Sequence, residues 1–82
     1  MRQLRASHTH LYPGARGTCD GPLCDGPVLL EFSDGVAVSG QIAGDRLQLA
    51  AHVTAAGTAI PAKAWQIEPR GADGFRIRAR AG

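Results

Sequence analysis

Four residues near the start of the chain, His8, His10, Cys19 and Cys24, have the types and spacing of metal ligands. Histidines two apart on an extended segment project from the same face. The two cysteines have four residues between them, at the upper limit of zinc-knuckle spacing. Together the four make a candidate Cys2His2 shell, with zinc as the candidate cofactor, and such a shell would tie down a stretch that has little else to hold it. Two other states are open to the same residues. In one, the histidines are solvated and the thiols free. In the other, Cys19 and Cys24 form a disulfide that stabilises by only roughly 2 kcal/mol in the chain-entropy model, so its use would be redox rather than structural.

A second group lies at the other end of the chain. Arg76, Arg78 and Arg80 alternate with Phe75, Ile77 and Ala79. Alternation puts the three arginines on one face of a strand at intervals of about 6.6 Å. That interval is close to the phosphate repeat of an extended nucleic-acid strand, and small barrels bind single strands across such faces. Lys63 is a further candidate cation for the same ligand, and Arg46 and Arg70 could add to it. Two ordinary roles compete with binding: charged residues on an edge strand discourage sheet-to-sheet aggregation, and Glu68 is a cross-strand partner for one of the arginines. His52 and Lys63 are the remaining acid–base candidates, and nothing in the sequence orients them toward a nucleophile.

The whole chain carries 9 Lys and Arg against 7 Asp and Glu, a formal charge of +2, so the distribution of charge matters more than its total. At 82 residues it suits one domain, and a deep enclosed active site would consume most of its core. A binding role is therefore expected ahead of enzymatic activity. Two cysteines do not make a disulfide scaffold. No apolar run suits a signal peptide, and none approaches the ~18 residues of a membrane-spanning helix. These features predict a cytoplasmic protein with no membrane partner, and the usage of Ala, Gly and Arg points to a bacterial one.

The elements that position these groups read as all-β. Residues 1–27 are rich in turn formers, including Pro13-Gly14 and two copies of Cys-Asp-Gly-Pro at Cys19–Pro22 and Cys24–Pro27, and they read as an irregular arm. Each copy reads as a tight turn, and the two in succession are expected to bring the cysteines together. Residues 28–82 read as a small barrel domain of five short alternating strands. The expected inward rows are Val28, Leu30 and Phe32; Val36, Val38 and Ile42, with a bulge or bend at Gly40; Leu47, Leu49, Ala51 and Val53; Trp65 and Ile67 within Ile60–Glu68; and Phe75, Ile77 and Ala79. Thr54–Gly57 reads as a longer link. No window has a capped helical period.

A five-stranded antiparallel meander with one apolar face must close on itself or pair with a second copy. An SH3-like barrel is expected, with an OB-like barrel as its variant and Trp65 at the centre of the core. Three functions follow from this reading. The first is a binding module for an anionic ligand, nucleic acid among the candidates. The second is a small metal-binding or thiol-redox protein using Cys19 and Cys24. The third is a structural subunit or homodimer formed by sheet pairing.

Overall fold

The computed structural model describes residues 2–50, 52–53, 59–60 and 63–81, with side chains for residues 2–50 and 64–78. Every regular element among them is a strand: β1 (Arg2–Ala6), β2 (Arg16–Cys19), β3 (Gly26–Glu31), β4 (Ala37–Ala43), β5 (Arg46–Leu49), β6 (His52–Val53), β7 (Ala59–Ile60), β8 (Lys63–Pro69) and β9 (Gly74–Ala81). Seven of them close a barrel in the order β1-β2-β9-β8-β5-β4-β3, and β6 pairs with β7 as a separate two-stranded sheet.

The expected meander is present as β3, β4, β5, β8 and β9, each antiparallel to the next. The expected count of five strands is corrected to seven, because the segment read as an irregular arm supplies the two staves that complete the ring. β2 pairs with β1 and, on its other side, with β9. β1 runs parallel to β3, with Arg2 opposite Val28 and Arg5 opposite Glu31, and this pair closes the barrel. Both sides of every barrel strand are therefore hydrogen-bonded, which removes the open edge a flat sheet would present.

Two expected strands are broken. The run from Leu47 onward leaves the barrel after Leu49, and the run from Ile60 joins it only at Lys63, so that His52 and Val53 face Ile60 and Ala59 in the two-stranded sheet. The link at Thr54–Gly57 and the side chains of Ala51, Val53 and Ala79 lie outside the described residues. Gly40 carries no bulge: it sits in regular register between Val28 and Leu49. The irregularity falls in β8 and β9 instead, between Trp65 and Ile67. The β4–β5 hairpin turns through Gly44 and Asp45, and Gly44 takes the left-handed φ of +62° that glycine adopts without strain.

Alternation fills the interior from six of the seven barrel strands, and β2 adds only the partly buried Cys19. Leu4, Ala6, Val28, Leu30, Val38, Ile42, Leu47, Leu49, Trp65, Ile67, Phe75 and Ile77 are buried, joined by Phe32 and by Leu11 and Ala15 of the β1–β2 loop. Among the described residues no polar side chain is buried with them. Trp65 is part of this core, yet it keeps 8% of its surface, and the largest fully buried side chain is Phe75. A barrel this small is filled by its own side chains. Its polar chemistry is on the outer surface and at the two ends.

Candidate functional site

One end of the barrel is organised by Arg2. Because β2 is antiparallel to β1 and β3 is parallel to it, the chain between Cys19 and Gly26 must pass across the N-terminal end of β1. The doubled Cys-Asp-Gly-Pro is that crossing. Arg2 Nη1 donates to Asp20 Oδ1 at 3.3 Å, and its Nη2 donates to Cys24 Sγ at 3.3 Å. Asp25 Oδ1 accepts the backbone N–H of Gly44 at 2.9 Å, which ties the crossing to the β4–β5 turn. Each aspartate of the repeat thus holds a different neighbour. A backbone N–H of Gln3, then the Arg2 guanidinium, keep the Asp20 carboxyl below the usual aspartate range, against the opposing effect of burial.

Both thiols are free, Cys24 exposed and Cys19 half-buried. Burial pushes the Cys19 thiol up, Asp20 and Asp73 add to this, and Arg2 opposes it. A shallow cleft of about 390 Å³ lined by Arg2, Cys24, Asp25, Gly26 and Pro27 lies beside the exposed thiol.

The expected Cys2His2 shell is not assembled. Cys19 pairs with Leu4 near the start of β1, whereas His8 and His10 follow the end of that strand, so the length of β1 separates them. Among the described residues no group of three or more His, Cys, Asp or Glu side chains is placed to hold a metal. The histidines meet a different partner. The ring of Tyr12 lies 5.3 Å from that of His8, edge-on, and 5.5 Å from that of His10, tilted. Tyr12 packs against the core, while both histidines are exposed.

Arg76 and Arg78 lie on the outer face of β9, but the expected row of three is interrupted: the register shift sets Arg80 opposite the inward Trp65, and Lys63 stands opposite the inward Leu49. Glu68, directly opposite Arg76 on β8, reaches Arg76 Nη1 at 3.9 Å and Arg78 Nε at 3.8 Å. These are loose, partly solvated pairs, with Arg78 still 65% exposed. Arg76 Nε is shielded from solvent and has no hydrogen-bond partner among the described residues. The side chains of Arg80 and Lys63 lie outside the described residues.

Sequence reasoning missed Arg16. In the register of β2 against β9, Arg16 stands directly opposite Arg76. It was hidden because Arg16-Gly17-Thr18-Cys19 has no large apolar residue at its inward positions, and so does not read as a strand. Farther round the same outer surface, Arg46 on β5 faces Gln66 on β8. Among the described residues neither Arg16 nor Arg46 has an ion-pair partner. A shallow depression of about 480 Å³ between Gln66, Glu68, Arg76 and Arg78 lies between them.

The chain matches no family model, no curated protein and no solved structure. Among the described residues no helix is long and apolar enough to cross a membrane.

Proposed function

We propose that the chain is a binding module that holds an anionic partner on the outer face of β2, β9, β8 and β5, through Arg76 and Arg78 with Arg16 and Arg46. The observation that carries this reading is the cross-strand pair Arg16–Arg76. Like charges placed directly opposite each other destabilise a sheet, so an arginine pair in which only Arg76 has a carboxylate partner is a cost to the fold alone and an asset to a site for anions. Glu68 is the one carboxylate among the described residues that pairs with these arginines, and its contacts are long enough for a phosphate to compete with.

An anisotropy titration of a labelled single-stranded oligonucleotide at low salt tests the reading. Binding should weaken linearly in log affinity against log salt, as condensed counterions are released. Arg78→Ala should lower both the affinity and the slope, the slope by up to about one unit. No binding at low salt, or binding indifferent to replacement of Arg76 and Arg78 together, sinks it.

A second reading rests on the contact between Arg2 and Cys24. A guanidinium donating to an exposed thiol suits thiol chemistry, with Cys19 as the second sulfur. Native mass before and after reductant separates the two readings, since a functional disulfide leaves the chain two hydrogens lighter.

A further inference from the structure

The loop between β1 and β2 is held between β9 on one side and the residues after β3 on the other, where His8 O accepts the Ser33 N–H at 3.2 Å. Ser7 N–H donates to Arg16 O at 3.0 Å and closes the base of the loop, so Arg16 is the residue on which the loop ends. Gly14 N–H donates to Ile77 O, and Ile77 N–H donates to Ala15 O, both at 2.7 Å. The loop is thereby seated on β9 at Ile77, the residue between Arg76 and Arg78. Leu11 and Ala15, both buried, fix it to the core. What this loop presents to solvent is the ring cluster of His8, Tyr12 and His10, two exposed imidazoles braced against a half-buried phenol.

Exposed rings on a loop that is bonded to β9, and arginines on the outer face of the same strand, are the two parts that single-strand binders combine: cations for the phosphates and π-faces for the bases. We infer that the partner is a single-stranded nucleic acid whose phosphates lie on Arg16, Arg76 and Arg78 and whose bases stack on the imidazoles of His8 and His10, with Tyr12 as the positioning residue beneath them. This inference rests on the anion-binding reading and goes beyond it by naming the ligand. A free polyanion or an acidic peptide would use the arginines and leave the rings idle.

The test compares two labelled probes of equal length and charge, a single-stranded oligonucleotide and its abasic counterpart, on the full chain at low salt. The intact oligonucleotide should bind more tightly than the abasic one. His8→Ala with His10→Ala should remove that advantage, a loss of roughly 5- to 100-fold for one stacked base, while leaving abasic binding unchanged. Both histidines are exposed, so these variants should keep the fold. Tyr12→Leu, which keeps an apolar side chain on the core, should weaken only the base-dependent part. Arg78→Ala should weaken both probes. Equal binding of the two probes, or an advantage that survives the histidine substitutions, overturns the stacking inference and leaves the arginine reading standing. Failure of both probes to bind removes both.

Discussion

Gly17 lies directly across β2–β9 from Phe75, and the ring of Phe75 occupies the space that a Cβ on residue 17 would need. The backbone carbonyl of Arg5 closes the same space from the side of β1. Glycine here is a packing requirement, since it lets the largest fully buried side chain of the core cross over its neighbouring strand. Gly17→Ala should destabilise by about 1–3 kcal/mol, the range for overpacking a filled core. Combining it with Phe75→Leu should cost less than the sum of the single changes, because the two residues share one volume. Denaturant midpoints of the three variants check this, and strict additivity would show that the ring and the glycine do not compete.

Glu68 restrains the arginines it touches. Its pairs with Arg76 and Arg78 are partly solvated, so Glu68→Gln should change stability by no more than about 1 kcal/mol. The same substitution removes the negative charge from the centre of the proposed binding face. Affinity for a single-stranded oligonucleotide at low salt should rise, by roughly fivefold if one repulsive contact at about 4 Å is removed. A lower affinity in the titration would mean that Glu68 holds the arginines in place for the ligand.

Asp20 gives the fold an acid-sensitive point. Its carboxyl is held below its usual value of 3.8, first by the Gln3 backbone N–H and then by Arg2. A depressed value in the folded state means that the contribution is fully present above the unfolded value. It is lost as pH falls through the lower, folded one. Asp20→Asn should therefore be less stable than the natural sequence at neutral pH, and the difference should shrink as pH is lowered from about 4 toward 2. Thermal melts across that range measure it, and a constant difference would assign the effect to the backbone of the crossing instead.

The two thiols should react in a set order. Cys24 is exposed, while Cys19 is half-buried and burial pushes its thiol up, which keeps it protonated to higher pH. Iodoacetamide at neutral pH should label Cys24 first, and Cys19 should follow only on unfolding or at alkaline pH. Peptide mass mapping over time reads the order, and simultaneous labelling would show that the β2 end opens freely.

The inward rows of β3, β4, β5, β8 and β9 were legible because their inward positions hold large apolar residues at a period of two. β1 and β2 were not. Leu4 and Ala6 form a very short row, and the inward positions of β2 are Gly17 and Cys19, small because Phe75 fills the interior from the opposite strand. The turn chemistry of Cys-Asp-Gly-Pro was legible. Its purpose was not, since only the parallel pairing of β1 with β3 shows that the repeat carries the chain across a strand end. The antiparallel register of β2 on β1 sets Cys19 at one end of β1 and His8 and His10 beyond the other, a separation that spacing in sequence does not reveal. Pairing of Glu68 with the arginine row was anticipated, and the structure places it between two of them.

The way β1 and β2 close the ring also bears on how the chain is made. A ribosome releases this hairpin before either of its outer neighbours exists. β1 gains β3 soon afterward, but β2 has only β9 to pair with on its free side, and β9 is the last of the described strands to be synthesised. Until then the nascent chain carries two unsatisfied strand edges on an open curved sheet, a state that invites pairing with other chains. Closure of the barrel is thus a late event of long sequence separation, of the kind that slows folding. Chaperone dependence during synthesis should exceed what refolding of the finished chain suggests, because only the finished chain holds both halves of the seam at once.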